Sequence, residues 1–112
     1  MAGTINGNII NKGMLINNST SAATAIAFGG RMKKNVQNDG LISVVSKGVS
    51  NGIEMTSGTL NGNLYNTGAI ETESTGSTGS ESSSGILVKG TVTGNIENTG
   101  TINAVNSGMS IS

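Results

Sequence analysis

The sequence predicts an all-β fold: a single-stranded parallel β-helix (solenoid) of about four coils, three short strands per coil, in one domain over residues 1–112. Three observations predict it. A motif recurs four times, as GTINGNIINKGMLI (3–16), GRMKKNVQNDGLIS (30–43), GTLNGNLYNTGAIE (58–71) and GTVTGNIENTGTIN (90–103). Aliphatic residues return at the same places in every copy. Finally, 34% of the chain is apolar and 2% aromatic, too little for a conventional core but enough for the thin interior of a stack.

The frame of the repeat is its Asn-x-Gly step, at Asn11/Gly13, Asn38/Gly40, Asn66/Gly68 and Asn98/Gly100. These steps lie 27, 28 and 32 residues apart, so each copy is one coil that buries its apolar side only against its neighbours. Within a copy, apolar and other residues alternate with period two, which marks strands. Taking the last copy as the pattern, the strands are 86–88, 91–96 and 101–103.

Stacking the copies produces five aliphatic columns. They are Ile5/Met32/Leu60/Val92, Ile9/Val36/Leu64/Ile96, Leu15/Ile42/Ile70/Ile102, Ile26/Ile53/Ile86/Met109 and Phe28/Met55/Val88/Ile111. Parallel strands in register, about 4.8 Å apart, would bring each residue onto its equivalent. A slip of one residue turns a column outward, so the aliphatic spacing itself specifies register.

Two further columns are pure asparagine: Asn8/Asn35/Asn63/Asn95 and Asn11/Asn38/Asn66/Asn98. Identical stacked amides hydrogen-bond along a stack, and asparagine suits turns, so both read as structural ladders at corners rather than as a ligand strip. Glycines beside them are expected to turn the chain through positive φ. The connectors 17–24, 44–51, 72–84 and 104–107 fall at one corner. The longest, TESTGSTGSESSS, is expected to be a mobile loop.

Composition removes several function classes. The chain has no Cys, His or Pro, which excludes disulfides and Cys/His metal sites. Net charge is zero, giving no support for nucleic-acid binding, and no apolar run is long enough for membrane insertion. The opening MAGTINGN has neither the charged nor the apolar part of a secretory signal. The zero balance divides into +4 over residues 1–50 and −4 over 51–112.

Catalysis has few candidate groups. Asp39, Glu54 and Glu97 fall in different columns, Glu71, Glu73 and Glu81 cluster at the long connector, and no pair is expected to share a cleft as glycosidases require. No catalytic residue, cofactor or metal site is expected, and the reading is non-enzymatic. Arg31, Lys33 and Lys34 form a basic patch open to an anionic partner, though without interleaved aromatics they read first as a solvated strand face. Ile10 and Tyr65 share an outward column with Gln37 and Glu97.

The grammar G-T-[ILV]-x-G-N-[IL]-x-N-x-G-x-[IL], preceded by Gly-Ile-x-Val as at Gly85–Val88, resembles the β-helical passenger domains of bacterial autotransporter adhesins. That resemblance implies a right-handed β-helix, an extracellular or cell-surface location, and a structural or adhesive role toward a host-surface or glycan receptor. The alternative is a carbohydrate-binding or polysaccharide-processing β-helix fragment. The ends suggest self-association. Placing Ile111-Ser112 of one copy next to Met1–Ile5 of the next imitates Val88–Val92 within the chain, so a head-to-tail filament or a longer repeat array is expected, with Met109, Ile111, Thr4 and Ile5 as the assembly candidates.

Overall fold

The computed structural model describes residues 3–75 and 83–104, together with the backbone of 107–111. Every regular element is a strand. The first coil comprises β1 (Thr4–Ile5), β2 (Ile9–Asn11), β3 (Met14–Ser19) and β4 (Ala23–Phe28). The second comprises β5 (Arg31–Met32), β6 (Val36–Asn38), β7 (Leu41–Ser46) and β8 (Ser50–Met55). The third comprises β9 (Thr59–Leu60), β10 (Leu64–Asn66), β11 (Ala69–Ser74) and β12 (Ser83–Val88). The fourth comprises β13 (Thr91–Val92), β14 (Ile96–Asn98), β15 (Thr101–Ala104) and β16 (Ser107–Ile111). Corresponding strands pair in parallel into four sheets, ordered β1-β5-β9-β13, β2-β6-β10-β14, β3-β7-β11-β15 and β4-β8-β12-β16. The chain is a parallel β-solenoid.

The register is the one the aliphatic spacing specifies. Ile5 pairs with Met32, Met32 with Leu60 and Leu60 with Val92, and the other four columns align equally. Met32, Val36, Ile42, Ile53, Met55, Leu60, Leu64, Ile70 and Ile86 are fully buried, so the core is a column one side chain deep on each wall. The side chains of Met109 and Ile111 lie outside the described residues.

Each coil has four strands, not three. The stretch 91–96 divides into β13 and β14, with a corner over residues 93–95. Val92 and Ile96 are an even number of residues apart, so alternation runs through the corner without marking it. Backbone contact marks it instead: a Cβ on Gly94 would stand 2.5 Å from Asn63 Oδ1 and 2.8 Å from the Gly62 carbonyl carbon. The connectors are also shorter than their composition suggests. Residues 17–19, 44–46, 72–74 and 83–84 are strand, because pairing with the neighbouring coil, not side-chain polarity, decides their conformation. Residues 76–82 of the long connector, Glu81 included, lie outside the described residues.

The corner glycines serve closeness more than φ. Among the described residues φ is positive at Gly3, Gly30 and Gly58, and at no Asn-x-Gly glycine. A Cβ on Gly68 would instead overlap the Gly40 carbonyl and stand 2.6 Å from Asp39 O. Gly13, with no coil beneath it, has nothing within 4 Å of that position.

The molecule measures 39 × 24 × 19 Å.

One pair of variants tests the glycine account. Gly13→Ala should leave the melting temperature nearly unchanged, whereas Gly68→Ala should cost about 2 kcal/mol or more, measured by urea unfolding. Equal effects at both positions would contradict it.

Candidate functional site

The two asparagine columns do different jobs. In the Asn11/Asn38/Asn66/Asn98 column, each Nδ2 donates to the Oδ1 of the coil above at 2.8 Å. The same Nδ2 faces two backbone carbonyls. For Asn38 these are Gly40 O at 3.1 Å and Ala69 O at 3.2 Å; for Asn66, Gly68 O at 3.2 Å and Thr101 O at 3.1 Å. Carbonyl neighbours require nitrogen at that end of the amide, so the ladder has a fixed direction. Asn38 and Asn66 are wholly buried, and their amides are satisfied only by this stack.

The other column is not an amide ladder. The Oδ1 atoms of Asn8, Asn35 and Asn63 accept the backbone N–H of Asn35, Asn63 and Asn95 at 3.0, 2.8 and 2.8 Å. Sequence reasoning gives both columns one reading, amides that stack and help satisfy the corner backbone, and does not separate the two. At this corner no strand ladder reaches the N–H, and the side chain of the coil below supplies the missing acceptor.

Both systems stop at the ends. In the first coil the Asn11 Oδ1 and the Asn8 N–H have no partner among the described residues. In the last coil the same holds for Asn98 Nδ2 and Asn95 Oδ1. Core columns are interrupted likewise: Ile5, Ile9 and Leu15 at one end and Val92, Ile96 and Ile102 at the other are only partly buried. Ile26 and Phe28, in β4 of the first coil, are buried. Thr4 is exposed and pairs with Arg31.

Of the surface candidates, Arg31, Lys33 and Lys34 are all exposed. Arg31 lies between Thr4 and Thr59 in the first sheet, along a shallow groove floored by Gly3, Gly30 and Gly58. The ion pair among the described residues is elsewhere, between Lys89 and Glu54 at 3.9 Å. Sequence reasoning placed Ile10 outward but missed Met14 and Ile16; the three are 46%, 66% and 62% exposed and make an apolar outer face on the first coil. The signal was present, since Met14 and Ile16 flank the inward Leu15 in alternation.

Glu71 and Glu73 line a shallow recess of about 310 Å³ with Ser43, Val45, Thr72 and Asn103. The two glutamates stand side by side on one strand, not opposite each other.

Asp39 sits at the corner after β6. Gln37 Nε2 donates to both its oxygens at 2.5 and 2.6 Å, and Thr67 Oγ1 from the coil above donates at 2.5 Å. These bonds, helped by the nearby Lys12 charge, hold its carboxyl below the usual value.

No protein family, curated protein or solved structure matches the chain. Function is therefore argued from the geometry above.

A lowered Asp39 pKa means that its contribution is complete above the ordinary aspartate value near pH 4 and is lost as pH falls through the folded value. In an NMR carboxyl titration Asp39 should titrate below the ordinary range. Gln37→Leu should raise its midpoint more than Thr67→Val; no change in either variant would contradict the assignment.

Proposed function

We propose that this chain is a non-enzymatic structural or adhesive solenoid module that associates head to tail with further copies, or extends such a stack within a longer surface-exposed array. One observation carries the reading. Three of the five apolar columns, buried in the middle coils, reach both end faces partly uncovered and in the same order. Exposed parallel strand edges with aliphatic rows beneath them are templates for pairing. Self-complementary ends that repeat one screw operation build open filaments rather than closed dimers.

Charge favours a second copy as the occupant. The first coil, residues 3–28, carries Lys12 as its one charged residue, and the last, residues 90–111, carries Glu97. Adhesion to a host-surface or glycan receptor is the part of the proposal that rests on the repeat's resemblance to passenger domains. The alternative, a carbohydrate-binding or processing fragment, draws on the Glu71–Glu73 recess, whose acids lack the facing arrangement that glycoside hydrolysis uses.

Sedimentation velocity over a wide concentration range, with electron microscopy of the concentrated sample, tests the proposal. The expected result is mass rising with concentration into unbranched fibres. A single monomeric species at every concentration would overturn it.

A further inference from the structure

The self-association proposed above leaves open which end meets which, and in what register. We infer that the two asparagine columns set both, making the junction a fifth-coil continuation in which Asn98 and Asn95 of one copy dock on Asn11 and Asn8 of the next.

The columns run in opposite senses. In one, the lower coil gives the donor: Asn66 Nδ2 to Asn98 Oδ1. In the other, the lower coil gives the acceptor: Asn63 Oδ1 to the Asn95 N–H. The upper face of the last coil therefore presents a donor at Asn98 Nδ2 and an acceptor at Asn95 Oδ1, three residues apart in sequence. The lower face of the first coil presents the complement, an acceptor at Asn11 Oδ1 and a donor at the Asn8 N–H, also three residues apart. Head-to-tail docking satisfies all four groups with the bonds already made inside the chain. Docking two first coils, or two last coils, runs the meeting strands antiparallel, whereas every coil-to-coil pairing inside the chain is parallel, so the in-register columns cannot continue across such a junction.

The outer surface adds a charge pair. The Asn11–Asn38 register places Lys12, Asp39, Thr67 and Thr99 at one corner of successive coils. Inside the chain this corner is in contact across coils: Thr67 bonds Asp39, and Lys12 acts on the Asp39 carboxylate. In the docked stack Lys12 of the next copy stands over Thr99. Glu97 precedes Thr99 by two residues, the offset at which Gln37 reaches Asp39. Lys12 and Glu97 thus face each other across the junction.

Asn98→Asp isolates the ladder. A carboxylate still accepts from Asn66 Nδ2 but offers no donor upward, and residue 98 is exposed, so the fold should persist. The variant should self-associate about tenfold or more weakly than the parent chain. Its first coil is unchanged, so it should add to the last coil of a parent stack and stop growth there. In substoichiometric amounts it should therefore shorten parent fibres in sedimentation and electron microscopy. A second pair tests the same junction without touching the ladder: Lys12→Glu and Glu97→Lys should each weaken association, and the double variant should restore it. If the parent chain stays monomeric, the proposed function fails and this inference with it. If the parent assembles while Asn98→Asp assembles equally well and does not shorten its fibres, or the charge reversal does not rescue, the inference fails and the proposed function stands.

Discussion

Everything in this structure depends on the fixed spacing between parallel strands. With successive coils one strand spacing apart and in register, each residue rests on its own equivalent, so the protein is organised by columns rather than by contacts between unlike elements. Identity along a column then has physical consequences. Aliphatic on aliphatic makes a dry interior, and amide on amide makes a directional ladder. Glycine on glycine permits backbones to approach where any Cβ would collide with a carbonyl. A chain only 34% apolar can fold this way because each middle-coil aliphatic is covered from above, below and across.

The columns, their members and their register were legible in the sequence because repetition compares a residue with its equivalents and removes the ambiguity of a short apolar run. Leu64 alone says little; Leu64 beside Ile9, Val36 and Ile96 says that the position is inside. The corner between β13 and β14 was not legible, because Val92 and Ile96 are four positions apart and period two is preserved across the bend. Nor was the role of Gly40 and Gly68, since glycine is equally the residue for positive φ and for close approach. The connectors misled for a third reason. Ser46, Ser50 and Thr72 look like loop residues, yet their strands pair, and Ser46 and Ser50 bond each other inside the wall at 2.6 Å.

The candidate site was legible in its residues and not in its chemistry. Both asparagine columns stand out in the sequence, but only the geometry separates a side chain that bonds its own kind from one that bonds the backbone above. That separation gives the ends their polarity. It also changes what Glu97 and Lys12 mean, from scattered surface charges to residues that successive copies would bring together.

The claim on which all of this rests is that the columns are the interior. Leu64, wholly buried between Val36 and Ile96, is the most direct place to test it. An aspartate there would place a carboxylate with no partner in an aliphatic wall, at a cost of several kcal/mol. Circular dichroism of Leu64→Asp through a thermal scan should show loss of the β-sheet signal and of cooperative unfolding. A parent-like spectrum with a cooperative transition would contradict the account.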